Sequence, residues 1–143
     1  MTGYHKTSQL LKAKKKRKKK ASERKKLIRQ LDQVVREILR ERDEICGACG
    51  KLNSNISQVS HFIGRRHYAL RWNLRNCHLQ HAGCNLAHNH NPQPYCQFLI
   101  KEFGDNIFEE FEQTLRKHTK FSTAQLEEIL EELRTQYSLH PTK

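Results

Sequence analysis

Acidic residues are missing from the middle of this chain, because no Asp or Glu occurs from Ile45 to Lys101. The same window contains six Lys and Arg residues and six histidines. A basic surface without carboxylates suits a phosphate backbone as its neighbour, which favours a nucleic-acid partner. A metal ion bound by this window alone would have to be held without carboxylate ligands.

Long apolar runs are also missing, since no aliphatic or aromatic run exceeds three residues, as in Phe98–Ile100. This argues against a membrane span and against the apolar core of a signal peptide. The five cysteines are an odd number, which argues against a secreted disulfide scaffold. We therefore expect a cytoplasmic protein without a membrane partner, whose cysteines are reduced or bound to metal.

The net charge of +12 comes from the N-terminal end. Residues 1–40 hold 15 Lys and Arg against 3 acidic residues, while the other 103 residues hold 12 of each. The densest run consists of Lys14, Lys15, Lys16, Arg17, Lys18, Lys19 and Lys20. Because like charges repel, we predict a disordered basic arm over residues 1–21 that binds DNA through counterion release. The alternative is a tail that serves only solubility.

Helical periodicity begins after this arm. Apolar residues at helical spacing predict an amphipathic helix over residues 22–44. Its stripe, Leu31/Val35/Ile38, packs either on the C-terminal helices of the chain or on a second subunit. Those C-terminal helices are predicted over residues 94–138, with a stop at Gly104 and a capping box at Ser122–Gln125. Residues 139–143 form a tail.

Two pairs of metal-ligand residues lie near the two ends of the acid-free window. Cys46 and Cys49 form the first pair and His81 and Cys84 the second, with two residues inside each pair and thirty-one between the pairs. A tight turn lets both side chains of such a pair reach one ion, and four ligands of this kind are typical of a tetrahedral structural zinc site. Cys77 is the alternative to His81 as the fourth ligand.

The centre, residues 45–93, is predicted to be a zinc-stapled ββα unit. A polar turn at 53–55 precedes a first strand, Ile56–Ile63, and a second strand is predicted near Ala69–Trp72. A short helix follows from Cys84. The predicted fold class is therefore mainly α with one small β element, or α+β.

A polar motif lies among the ligand pairs: His61 and Asn76 fall between them, and Asn85 directly follows Cys84. This order of residues resembles the HNH (ββα-metal) nuclease motif in its His-Asn-Asn form. The resemblance implies that His61 is the general base that deprotonates water. It implies that Asn85 is a ligand of a catalytic Mg²⁺ or Mn²⁺ ion, and that Asn76 holds the loop that carries the histidine through hydrogen bonds. The centre would then be HNH-like.

The sequence departs from that motif at Ser60, where many HNH enzymes have Asp, and a serine hydroxyl is a poor metal ligand. His88 and Asn89 lie three and four residues after Asn85 on the predicted helix, and they are candidates for further ligands of the catalytic ion. The remaining histidines of the centre are interpreted as surface or phosphate-contact residues: His67, His78 and His90.

A closer resemblance covers most of the chain. The segments that carry it are Arg36–Asp43, Cys46-x-x-Cys49-Gly50, Ser60–Arg66, Leu70–Trp72, Asn76–Gln80, Cys84–Asn85 and Asn91-Pro92 through Tyr95. Together with the basic arm, they resemble the NinG (Rap) phage recombination proteins. The resemblance implies a structure-selective endonuclease that acts on branched DNA, including Holliday junctions and displaced-strand intermediates, in the cytoplasm of the bacterial host.

We predict DNA contacts near the cut from Arg65, Arg66 and Arg71, while the basic run holds neighbouring duplex. Trp72 either stacks on an unpaired base or packs in the core, and the core is favoured. Since a four-way junction has two strands to cut, a homodimer is expected, and a recombinase is a second candidate partner. The rival hypothesis is a zinc-containing DNA-binding accessory protein of recombination or replication that does not cut DNA.

Overall fold

Helices dominate the chain, of which the computed structural model describes residues 3–52, 56–117 and 120–139. The elements in chain order are α1 (Gly3–Arg42), β1 (Gln58–His61), α2 (Tyr68–Arg71), β2 (Cys77–Gln80), α3 (Ala82–Ala87), α4 (Gln93–Phe103), α5 (Ile107–Lys117) and α6 (Thr123–Leu139). This confirms the α+β prediction. The predicted polar turn at 53–55 and the predicted tail from residue 140 onward lie outside the described residues.

The first helix, α1, is 40 residues long, or about 60 Å at 1.5 Å per residue. The prediction of disorder differs from the structure, because residues 3–21 belong to this helix. Lys and Ala favour helix, and no Gly or Pro occurs from Tyr4 to Glu44, so nothing in the sequence ends a helix that is anchored further along. The amphipathic helix predicted for residues 22–44 is the C-terminal half of α1.

The apolar stripe of α1 packs on α6. Leu31 and Val35 are 0% and 2% exposed. The cluster that buries them includes Leu39, Trp72, Cys77, Leu79, Leu126, Leu130 and Leu133. Of the two partners predicted for the stripe, the structure therefore has the chain's own C-terminal helix. The stripe is not available as the interface of the predicted homodimer.

The two strands form an antiparallel pair in which Gln58 is opposite Gln80 and His61 is opposite Cys77. Since side chains alternate between the faces of a strand, Leu79 joins the α1–α6 cluster while His78 faces the other way. A second cluster covers that face with Leu70, Tyr95, Leu99, Ile107 and Phe111. The sheet is thus buried between two layers of helices, which fixes the end of β1 relative to α1.

The second strand was predicted at the wrong place. Residues 69–72 lie in and just after the one-turn helix α2, and the strand that pairs with β1 is Cys77–Gln80. The run Cys77–Gln80 alternates apolar and polar residues over only four positions, the shortest run that indicates a strand, and its polar residues are buried like its apolar ones. A short run such as 69–72 fits one helical turn as well as a strand.

The C-terminal helices agree with the predictions. Gly104, with φ of +85°, ends α4 in the left-handed region that favours glycine. The predicted capping box is present at the start of α6, because the Ser122 N–H donates to Gln125 Oε1 at 2.8 Å and the Gln125 N–H donates to Ser122 Oγ at 3.2 Å. Across the described helices, no segment is both long and apolar enough to cross a bilayer.

Candidate functional site

The first ligand pair lies on a tight turn just after α1. Ile45 and Leu52 form an isolated antiparallel bridge that closes the turn. Inside it, the Gly50 N–H donates to the Cys46 carbonyl at 2.9 Å, and Gly50 has a φ of +66°. Because this left-handed conformation strains other residues, glycine at this position allows Cys46 and Cys49 to share one turn.

The turn packs directly on β2. The Gly47 N–H donates to the Leu79 carbonyl at 2.9 Å, and Gln80 Nε2 donates to the Gly47 carbonyl at 3.2 Å. A Cβ atom at position 47 would lie 2.5 Å from the Cβ of His78, so a side chain there would separate the turn from the strand. This close approach brings the first pair next to His81, which follows β2.

The structure brings the four predicted zinc ligands together. The ligand atoms of Cys46, Cys49, His81 and Cys84 lie within 4.8 Å of one another, with His81 Nδ1 at 3.4 Å from Cys49 Sγ and 3.6 Å from Cys84 Sγ. Tetrahedral zinc with bonds of about 2.0–2.3 Å holds its ligand atoms about 3.5 Å apart. The cluster could therefore hold a structural metal such as zinc. Cys77 lies outside it, buried on β2.

The pKa values of two of the cysteine thiols are consistent with a bound cation. Burial opposes ionisation of Cys46, but backbone hydrogen bonds around Cys49 and His81 outweigh it and lower the pKa of that thiol. Burial and the charge of Cys46 raise the pKa of Cys84 to about 11. A second thiolate at neutral pH therefore needs a compensating positive charge, which a bound metal supplies.

His61 ends β1 and lines a cleft of about 400 Å³ between α1 and the centre. Its Nε2 lies 2.9 Å from the Arg71 carbonyl oxygen. Since a carbonyl only accepts, the neutral ring carries its proton on Nε2, which leaves Nδ1 as the basic nitrogen. Burial lowers the pKa of His61 and outweighs the hydrogen bond to that carbonyl, which raises it. The ring is therefore neutral at pH 7.

Of the three residues predicted to hold a catalytic ion, two line this cleft with His61: Asn85 on α3 and Asn89 just after it. The third, His88, directly follows α3 and points toward Phe62 instead. Its Nε2 is 3.2 Å from the Phe62 carbonyl, and its ring packs on Phe62 at 5.5 Å between centroids. His88 therefore lies away from the lining of the cleft, because one residue along a helix rotates the side chain by about 100°.

Asn76 is fully buried and joins the two ends of the loop after His61. Its Oδ1 accepts from the Ile63 N–H at 2.8 Å, and its Nδ2 donates to the carbonyls of Ile63 and Leu70, both at 3.0 Å. These bonds tie the loop together at the position for which the HNH resemblance implied such a role. Ser60 is 1% exposed and does not line the cleft, so it offers the cleft no ligand.

The three predicted DNA-contacting arginines differ in their surroundings. Arg65 is exposed and lines the cleft, and Arg66 is exposed with its Nε at 3.2 Å from His67 Nε2. Arg71 donates from Nε and Nη2 to the two carboxylate oxygens of Asp32, at 3.0 and 2.7 Å. Its guanidinium is therefore committed to an ion pair within the protein, which argues against the predicted phosphate contact.

Trp72 packs in the core, as the sequence favoured, since it is 5% exposed. Its Nε1–H donates to Asp32 Oδ1 at 2.9 Å. The prediction that His78 is a surface residue is wrong, because it is 3% exposed with its Nδ1 at 3.0 Å from Tyr95 Oη. Burial lowers the pKa of His78 to about 3, so the ring stays neutral at physiological pH.

Sequence reasoning missed Asp32 as a residue of the cleft. It lies on α1 between charged and apolar positions, and in sequence it resembles any solvated charge on a helix. The available signal was its place directly after Leu31, at the edge of the apolar stripe and among only three acidic residues in 1–40. The predicted DNA-binding run Lys14–Lys20 is exposed on every side of α1.

Comparison with known proteins identifies relatives. A family model, described as the bacteriophage lambda NinG protein, matches residues 4–140. Protein ninG of Escherichia phage lambda is 34% identical over 94 residues, which are 64% of this chain and 46% of that protein. Protein ninG of Salmonella phage P22 is 33% identical over 94 residues, again 64% of this chain and 46% of the relative. The chain spans about half the length of the curated relatives it matches. No solved structure matches it.

Proposed function

The chain belongs to the NinG family of phage proteins, and from this premise we propose that it is a metal-dependent, structure-selective DNA endonuclease of the HNH type. Its substrates would be branched recombination intermediates such as Holliday junctions and displaced-strand structures. The observation that carries the proposal is a cleft that is lined by a neutral histidine with an oriented ring, two asparagines and basic residues: His61, Asn85, Asn89, Arg36 and Arg65.

His61 would act as the general base. With Nε2 held by the Arg71 carbonyl, Nδ1 can accept the proton of the water that attacks the scissile phosphate. The hydrogen bonds of Asn76 keep the loop between the strands in place, so the ring does not depend on substrate for its orientation. After cleavage, the protonated ring returns its proton to solvent.

A divalent ion would be held by the asparagines that line the cleft. Asn85 and Asn89 offer amide oxygens, which are hard ligands of the kind that Mg²⁺ and Mn²⁺ accept, and a DNA phosphate and water would complete the set. Bound there, the ion would stabilise charge on the phosphate and the leaving oxygen. The Cys46/Cys49/His81/Cys84 cluster has a separate, structural role, because its four protein ligands leave no open position.

The proposed preference for branched DNA rests on the family resemblance, and the structure adds the electrostatics. Arg36 and Arg65 line the cleft, and the exposed arginines and lysines of α1 extend the positive surface away from it. Such a surface attracts phosphate without reading sequence. A homodimer would place a second active site on a junction, and a recombinase is the other proposed partner.

The test is cleavage of a labelled synthetic four-way junction beside linear duplex of the same sequence, with Mg²⁺ or Mn²⁺. Wild type and His61→Ala are compared, and binding is measured separately in EDTA. Junction cutting that is lost in the variant while binding is retained supports the proposal. Equal cutting by both proteins would remove His61 from the role of base.

One observation favours a second candidate, a zinc-containing DNA-binding accessory protein that does not cut. The window from Ile45 to Lys101 supplies no carboxylate to the cleft, and Asp32 is already paired with Arg71. Tight junction binding without cutting by wild type, in either metal and over a range of pH, would favour this candidate.

A further inference from the structure

Asp32 reaches the cleft from α1 and makes three hydrogen bonds there. Its carboxylate accepts two from Arg71, at 3.0 and 2.7 Å, and one from Trp72 Nε1, at 2.9 Å. These partners are 39 and 40 residues away in sequence and lie at the end of α2. Asp32 therefore fastens the end of α2 to the first helix.

The same Arg71 holds His61 with its backbone. Its carbonyl oxygen is the acceptor of the His61 Nε2 proton at 2.9 Å. Asp32 holds the side chains of two consecutive residues, Arg71 and Trp72. The peptide group between these residues, which contains the Arg71 carbonyl, therefore has little freedom to rotate. The position of that carbonyl thus depends on the carboxylate of Asp32.

We propose that Asp32 is a positioning residue, which fixes the tautomer and orientation of His61 through the Arg71 carbonyl and so couples the packing of α1 to the chemistry of the cleft. The consequence for the cleavage rate rests on the proposed function, while the consequence for the His61 ring does not. Asp32 is a positioning and not a catalytic residue, because both of its partners are protein groups.

The Asp32–Arg71 pair is better suited to this role than an ordinary surface ion pair. The side chain of Arg71 is only 15% exposed, so removing its partner would leave a largely buried charge unpaired. The guanidinium would then turn toward solvent or toward DNA phosphate, and its backbone would be free to follow. A purely structural tie would leave the His61 ring unchanged as long as the fold persisted.

The test compares Asp32→Asn with Glu37→Gln. Asparagine keeps the shape of the side chain and can still accept from Trp72, but it loses the paired charge. Glu37→Gln is the matched control, because it also removes one negative charge from α1. Glu37 accepts a hydrogen bond from Gln33 at an exposed position that does not line the cleft.

The second variant is Arg71→Lys, which keeps the positive charge but loses the two-point contact with Asp32. Thermal melting establishes that each variant is folded.

Two readouts are measured on the full chain. In ¹H–¹⁵N spectra, assigned by comparison with His61→Gln, wild-type His61 is expected to show the Nε2–H tautomer, and Asp32→Asn is expected to lose that preference. The single-turnover cleavage rate at saturating junction is expected to fall about 10- to 100-fold in Asp32→Asn, with the Kd for junction within about twofold. Glu37→Gln should change neither.

The outcomes separate the two proposals. If folded Asp32→Asn and Arg71→Lys both keep the wild-type His61 signals, the positioning role is overturned, whatever the rates do. If the tautomer is lost in the variants but wild type cuts no branched DNA with either metal, the positioning role stands and the nuclease function is overturned. If the rate at saturating junction is unchanged and only the Kd for junction becomes weaker, the positioning role is overturned in favour of a DNA contact.

Discussion

Helix α1 has two halves with the same backbone conformation and different surroundings. Its first half, residues 3–23, is called the arm, and its second half, Arg24–Arg42, the anchored half. The arm is basic, and its residues 7–20 are all exposed. The anchored half is held at both ends: Arg24 Nη1 donates to the Phe121 carbonyl at 2.8 Å, and Arg42 Nη2 donates to the Cys77 carbonyl at 2.7 Å. The basic run of the arm can attract a polyanion, but it does not position any residue of the cleft. The anchored half of α1 does, because its residues form one wall of the cleft.

The largest expected effect is on the anchored side, at the metal cluster beyond the end of α1. Cys46→Ser removes a buried ligand, and binding of structural zinc contributes on the order of 10 kcal/mol to folding. We expect the variant to lose bound zinc and its cooperative thermal transition. The measurements are zinc content by mass spectrometry and a melt followed by circular dichroism.

Cys96→Ser is the control for that experiment, because Cys96 lies on α4 outside the cluster, and it should retain zinc. Retention of both zinc and the native melting temperature by Cys46→Ser would contradict the assignment of the cluster as a structural metal site.

The next effect compares two leucines of the same helix. Leu31→Ala opens a cavity in the α1–α6 cluster, where Leu31 is 0% exposed, and should reduce the free energy of unfolding by about 2–5 kcal/mol. Leu11, in the arm, is 66% exposed, and Leu11→Ala should change the free energy of unfolding by less than about 0.5 kcal/mol. Urea denaturation of both variants measures the difference. Equal destabilisation would mean that the arm is packed in solution.

A smaller effect is expected on DNA affinity from the arm. Changing Lys14, Lys15 and Lys16 to Gln should reduce the slope of log K against log salt by up to about 0.9 for each lysine that contacts a phosphate, and should weaken binding about 10- to 100-fold at low salt. The folding stability should not change. Fluorescence anisotropy over a salt series provides the measurement.

Three basic residues at and just after the end of α5 provide a control of equal charge: Arg116, Lys117 and Lys120, each changed to Gln. The two triple variants have the same net charge. If both reduce the salt slope equally, the arm has no special role in DNA binding, and the effect follows from total charge alone.

The sequence predicted best what is determined locally. The Cys46–Cys49 turn and the capping box at Ser122 are determined by residues within a few positions, and both are present in the structure. The helical stripe of α1 was also recognisable, since periodicity records which face is buried. The arm has no such stripe, and its charge alone suggested disorder where helix propensity and an anchored neighbour extend the helix.

What the sequence could not predict depends on distant contacts. Strand β2 is a run of only four residues, and its polar side chains are buried by residues 17 and 33 positions away in sequence. The direction of His88 follows from how α3 is rotated against Phe62, 26 residues away. Asp32 meets Arg71 only because α1 packs on the centre, and no local pattern encodes a pair separated by 39 residues. These are the contacts that shape the cleft, which explains why its lining was the least predictable part.

The smallest effect should distinguish charges in the cleft from charges in the arm. Because burial lowers the pKa of His61, the midpoint at which the cleavage rate falls with decreasing pH, as the base becomes protonated, should lie below 6.5, the ordinary imidazole value. The charge of Arg65 also lowers this pKa, so Arg65→Gln should move the midpoint to higher pH. Lys20 is about 18 Å along α1 from Asp32, beyond the screening length of about 8–10 Å. The Lys14–Lys16 variant should therefore leave the midpoint unchanged in single-turnover rates at saturating junction, and an equal shift in both variants would contradict the separation of arm and cleft.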